Sequence, residues 1–177
     1  MQSDISRNHL LGAPAPDFLL PDVLSHGYVS LAMARGRLTV ITFWSARSHW
    51  SKAYDTYFAL NARLWERSGI WLVMINSNAN ETATMMQMQA IIHGLPGPIL
   101  HDADSQVARA YAAEKTPQVF VISRNGQVVY QGAIDDRSRP EMAGTVNYLE
   151  QAILAAEQGR RPIEAVTEPT GNAIIFS

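Results

Sequence analysis

Two serines three residues apart, Ser48 and Ser51, stand where an apolar run (residues 38–44) gives way to an amphipathic one, with His49 and Trp50 between them. A hydroxyl at such a junction has two chemistries open to it. As a nucleophile it needs an oriented base beside it. His49 is the sequence neighbour of Ser48, and neighbours on a helix do not face each other. The chain also has no Gly-x-Ser-x-Gly elbow. As a helix N-cap, the hydroxyl accepts from a free backbone amide and is worth about 1 kcal/mol over alanine. The capping role outweighs the nucleophilic one. Thiol chemistry is absent as written, because the chain contains 0 cysteines and only a thiolate attacks a disulfide.

Other reactive residue types reduce to structural roles. Met85, Met86 and Met88 lie close to His93, and thioethers suit Cu(I). Methionine is also a common filler of core gaps. Met85 and Met88 share a helix face with Ile92 one turn on, so packing is expected there. His26 and His101 have no ligand spacing around them. No metal and no cofactor are assigned. Asp135 and Asp136 precede Arg137 and Arg139 and read as a solvated, ion-paired turn of little energetic value.

The elements that must position Ser48 and Ser51 follow from periodicity. Residues 1–37 are broken by Pro14, Pro16, Pro21, Gly12, Gly27 and Gly36, with a short edge strand over 28–32. Residues 38–44 form a buried strand. A helix runs from about 48 to 67 with one apolar face, and Gly69 ends it. Residues 70–75 are a second buried strand. A helix from about 80 to 93 follows, then a strand or extended loop over 98–101 and a short helix capped by Asp104. Residues 118–123 form a third strand, and Asn125-Gly126 turns it into residues 127–131. Pro140 marks the start of a last helix with Val146, Leu149, Ile153 and Ala156 as its stripe. Residues 160–177 form a tail whose end, 173–176, is apolar enough to dock. The order β-α-β-α-(α)-β-β-α predicts an α/β fold with a mixed central sheet flanked by helices.

At 177 residues, 47% hydrophobic and 17% charged, the chain is expected to be one domain with a substantial core. A net charge of −2 gives no basic footprint, so nucleic acid is not expected as a partner. The longest apolar runs are too short to span a bilayer. The first residues lack the charged and apolar regions of a secretory signal. A cytoplasmic location is the default expectation, with a periplasmic one if a signal peptide was removed. The oligomeric state stays open.

Four segments together resemble one family. Gly12 to Phe18 reads GAPAPDF and resembles a G-x-x-A-P-D-F opening. Phe43-Trp44 through Ser51 resembles the F-W-x-x-x-C-x-x-C redox site of thioredoxin-type proteins, with serine at both cysteine positions. Thr116-Pro117 before a strand resembles the Thr-Pro whose proline is cis and faces that site. Gly126 to Asp136, GQVVYQGAIDD, resembles the hairpin of a redoxin subgroup that tends to end in G-C-x-I, where this chain has Gly171-Asn172-Ala173-Ile174. The chain is thus similar to the redoxin (AhpC/TSA) branch of the thioredoxin-like superfamily, most of all to TlpA/ResA-like thiol-disulfide proteins.

The resemblance implies a thioredoxin-like fold over 1–177, with an N-terminal extension (1–37) and a C-terminal tail (160–177). It implies a thiol-disulfide oxidoreductase or antioxidant lineage. A buried aspartate beneath the site, as some thioredoxins have, would have to come from elsewhere than Asp135-Asp136. The peroxiredoxin pattern P-x-x-x-T-x-x-C fails, since Ile41 and Ser45 hold its proline and threonine positions. The implied site comprises the motif positions Ser48 and Ser51 and a shallow apolar groove of Trp44, His49, Trp50, Thr116 and Pro117. In this fold such a groove holds an extended peptide or a small ligand. Three accounts are carried forward: a redox-inactive member that binds a protein or peptide partner, an oxidoreductase or peroxidase whose cysteines were replaced by serine, and a structural or assembly subunit.

Overall fold

The computed structural model describes residues 10–177; the first nine residues of the 1–37 extension lie outside the described residues. At its centre is β3 (Leu38–Phe43), in which all six residues are buried. It pairs in parallel with β4 (Ile70–Asn76) and antiparallel with β7 (Gln118–Ile122). β5 (Ile99–His101) extends the sheet beyond β4, and β8 (Val128–Gly132) closes the other edge, giving the order β5-β4-β3-β7-β8. Helix α1 (His49–Arg67) makes the crossover between the parallel strands β3 and β4. This is the mixed, helix-flanked sheet of a thioredoxin-like fold.

Strand alternation sorts the core into two layers. Val40, Leu72, Met74, Val119 and Val121 face Tyr54, Phe58, Trp65 of α1, Met86 and Ala90 of α2 (Ala83–His93), and Leu149, Ala152 and Ile153 of α4 (Tyr148–Glu157). Ile41, Phe43, Val73, Ile75, Phe120 and Ile122 point the other way. They are covered by Phe18 and Leu20, by Ala108 of α3 (Gln106–Ala110), by Tyr111 and by Ile174. Phe43, Tyr111 and Phe120 stack there with centroids 5.1–5.8 Å apart. Among the described residues no helix is long and apolar enough to cross a membrane.

The N-terminal region is more ordered than its proline content suggests. β1 (Leu19–Pro21) and β2 (Tyr28–Ser30) form a hairpin, and a 3-10 turn (Leu31–Ala34) follows. The buried Asp22 carboxylate accepts from the amides of Leu24 and Ile99, tying the hairpin to β5. The Asn125-Gly126 hairpin forms as expected, with Gly126 at φ +81°, a conformation that glycine alone adopts freely.

Three local expectations change. The last helix begins at Tyr148, eight residues after Pro140. Asp136 accepts from the amides of Thr145 and Val146 and from the Thr145 hydroxyl, which fixes 136–146 as a loop. Asn147 then caps the helix by accepting from the Glu150 amide at 2.9 Å. The short helix α3 is held mainly by buried Asp102, which takes the amides of Val107 and Ala108, while Asp104 takes only that of Gln106. On α2 the packed face is Met86 and Ala90; Met85 is half-buried and Met88 is 56% exposed. Apolar residues sit on every side of that helix, so spacing did not single out the inner face.

Candidate functional site

The turn from β3 into α1 is anchored from below by a carboxylate. The Glu81 side chain is 5% exposed. It accepts from the Ser45 hydroxyl on one oxygen, and from the Ala46 amide (2.8 Å) and Asn76 Nδ2 (2.6 Å) on the other. The Ser45 hydroxyl oxygen in turn accepts from the amides of Arg47 (3.2 Å) and Ser48 (3.0 Å). Glu81 therefore fixes the backbone that presents Ser48, a role with no signature in its own stretch of sequence.

Ser48 is the N-cap of α1: its oxygen accepts from the Ser51 amide at 3.2 Å. Its hydroxyl faces two acceptors, Asn172 Oδ1 at 2.7 Å and the Thr116 carbonyl at 3.1 Å. The Ser51 oxygen accepts from the Ser45 amide at 3.1 Å. Ser48 and Ser51 are 5% and 1% exposed. Among the described residues neither hydroxyl bonds to a histidine or a carboxylate. His49 points to solvent, and Trp50 is half-buried against the core.

Across from the helix start lies Thr116-Pro117, whose peptide bond is cis. Both residues are buried. Thr116 belongs to β6 (Lys115–Thr116), which pairs antiparallel with β9 (Asn172–Ala173). The open space here is a depression of about 260 Å³. Ser48, His49 and Thr116 line it together with Arg47, Asn78 and Asn172. Most of its lining residues are polar in type, with Ala173 and Ile175 as the apolar ones, where the resemblance implied Trp44, Trp50 and Pro117. Trp50 and Pro117 are not among its lining residues.

Trp44 is a correction. It was expected on the groove, yet it has 0% exposure. Its indole Nε1 donates to Asp55 Oδ1 at 2.8 Å, and a buried N–H turns toward such a partner. Asp55 lies on the buried face of α1 and is 1% exposed, with its second oxygen lacking a hydrogen bond. Burial raises its pKa above the ordinary carboxylate range, opposed by the Trp44 bond and by His93 and Lys52. His93 Nδ1 lies 3.8 Å from Asp55 Oδ2.

Asp135 is also a correction: it is 6% exposed, so not a solvated turn residue. It accepts from the Tyr54 hydroxyl at 2.6 Å and from Arg137 Nη2 at 2.7 Å, while the Arg137 guanidinium lies over the Tyr54 ring. Burial, then the bond to Asp135, pushes the Tyr54 phenol up. Only Asp136 of the pair stays in water.

A five-stranded mixed sheet with a crossover helix starting beside a cis Thr-Pro defines a protein of the thioredoxin-like class. Residues 11–131 match the AhpC/TSA family, and the chain belongs to that family. It is similar to the thiol-disulfide oxidoreductase ResA of Geobacillus kaustophilus, 29% identical over 121 residues, or 67% of this chain and 66% of that protein. The match thus spans slightly under two thirds of the curated relative's length. Among solved structures, an uncharacterized conserved protein from Geobacillus kaustophilus superposes with a TM-score of 0.86 at 30% identity, covering 94% of this chain and 92% of the other. The Sinorhizobium meliloti 1021 protein SMc02350 gives 0.85 at 29% identity, covering 94% of each chain.

Proposed function

We propose that this chain is a redox-inactive member of the thiol-disulfide oxidoreductase lineage, a single redoxin domain that uses the face around Ser48 to bind a protein or peptide partner. The carrying observation is the set of contacts made by the Ser48 hydroxyl. It caps α1 and bonds toward Asn172 and Thr116, and among the described residues no base bonds to it to take its proton. Dithiol exchange needs a thiolate that attacks sulfur and a second thiol that resolves the mixed disulfide. The chain supplies neither, having 0 cysteines.

The pairing of Ser48 with Asn172 supports serine as the natural residue. An amide oxygen 2.7 Å from a hydroxyl is a matched donor and acceptor, which a cysteine exchanged for serine does not account for. Of Ser48, His49 and Thr116, exposed His49 is the one offered to a partner at the depression, with Ser48 and Thr116 as buried walls behind it.

The test is an insulin-reduction assay with dithiothreitol as electron source. Turnover equal to the no-protein control is expected; turnover above it overturns the reading. Introducing Ser48→Cys with Ser51→Cys and measuring a reduction potential then reports whether the remaining scaffold still supports a dithiol couple.

A further inference from the structure

The last seven residues run from the Thr116 strand, where 172–174 pair with 114–116, across to the loop after β4 and to α3. Gly171 packs so tightly on Thr116 that a Cβ there would come within 2.4 Å of the Thr116 carbonyl oxygen. Asn172 presents Oδ1 to the Ser48 hydroxyl. The Ile174 amide donates to the Glu114 carbonyl at 2.9 Å, and its side chain is 5% exposed in the second core layer. The Ile175 amide donates to Asn78 Oδ1 at 3.0 Å, and its carbonyl accepts from the Ala79 amide at 2.7 Å. Phe176 lies under the Arg109 guanidinium, and Arg109 also donates to the Ser177 carbonyl at 2.6 Å.

Main-chain pairing along an exposed edge, with sockets for chosen side chains, is how proteins take up an extended peptide by strand addition. Here the added strand is the chain's own. Apart from Ile174 the attachment is polar, made of hydrogen bonds and one cation–π contact, and it includes the Ser177 amide donating to Ser105 Oγ at 3.1 Å. β9 has two residues, both exposed, and Ile174 is the one side chain of the segment that is fully buried. A segment with a short ladder and few buried apolar contacts opens at lower cost than the sheet beneath it.

We propose that residues 171–174 are a built-in ligand that closes the Lys115–Thr116 edge, with 175–177 fastening them to the Asn78 loop and α3, and that this edge receives an extended protein segment of the same chemistry once the tail lifts. The incoming segment has no side chain opposite the Thr116 carbonyl, a side-chain acceptor for the Ser48 hydroxyl at the next position, and an aliphatic residue two further on. The proposal rests on the partner-binding reading above and specifies the partner. A tethered tail competes at an effective concentration on the order of millimolar, so the closed chain binds free peptide weakly.

A fluorescein-labelled peptide of residues 170–177 is titrated by anisotropy against the full-length chain and against full-length Ile174→Asp, with folding checked by circular dichroism. The variant is expected to bind at least about tenfold more tightly than the parent, and a peptide carrying Gly171→Val is expected to bind neither. Equal, measurable affinity in both proteins overturns the tail as a closure and leaves the partner-binding face standing. No binding by the folded variant overturns the edge as a peptide site and leaves the partner reading to the depression at His49 alone. If Ile174→Asp does not fold, hydrogen exchange of the parent decides. Exchange of the Ile174 and Ser177 amides well ahead of the β7 amides supports a tail that lifts; exchange only with global unfolding overturns it.

Discussion

A single hydroxyl at position 48 joins three parts of the chain: α1 through the Ser51 amide, β6 through the Thr116 carbonyl and β9 through Asn172. Ser48→Ala removes the cap, leaves the buried Ser51 amide without its acceptor and takes away the one donor shared by the Thr116 carbonyl and Asn172. It is expected to lower unfolding stability by about 1–3 kcal/mol in a urea melt. Ser51→Ala removes only an acceptor for the Ser45 amide, and about 1 kcal/mol is expected. The cap was legible in the sequence because it depends on residue type and position at a helix start. Its tie to Asn172 was not, since 124 residues separate the two and only the folded tail brings them together. Glu81 was hidden for the same reason, 36 residues from the Ser45 hydroxyl it holds. Trp44 failed differently. An indole after a strand suits either a groove or a core, and the choice turned on Asp55, which the strand's own residues do not announce.

Elements with one dominant apolar period were readable: β3, α1, β4 and the Asn-Gly hairpin all stand within a residue or two of expectation, and with them the sheet. Boundaries set by side chains reaching back to the backbone were not. Proline at a helix start is a local signal, and it lost to the three bonds made by Asp136. The two signals can be separated by mutation. Asn147→Ala should lower stability by about 1 kcal/mol through loss of the cap. Pro140→Ala, outside the helix, should stay within about 0.5 kcal/mol of the parent. Chemical denaturation of both variants at one pH checks the assignment.

For the molecule as a whole, a carboxylate on the buried face of α1 makes stability depend on pH in the sense opposite to a salt-bridged acid. Unfolded, Asp55 titrates near the usual value of about 4; folded, burial holds its pKa higher. Between those values the folded state keeps a proton that the unfolded state has released. Its contribution to stability therefore falls as pH rises through that window and is lowest above the folded value. Asp55→Asn cannot ionise and keeps an oxygen for the Trp44 indole. It is expected to melt at a higher temperature than the parent at neutral pH, with the difference vanishing or reversing below about pH 4. The Trp44 bond, then His93 and Lys52, all of which favour the ionised form, keep the effect from being larger. Melting curves of parent and variant from acid to neutral pH provide the test.

The 2.8 Å contact between the Trp44 indole and Asp55 also gives the protein a light-emitting gauge placed under its own motif. An excited indole whose N–H points at a carboxylate changes in brightness and colour when that carboxylate gains a proton. Emission from the parent, less that of Trp44→Phe, should therefore trace the Asp55 titration without any attached dye. The Asp55→Asn protein should give a flat trace.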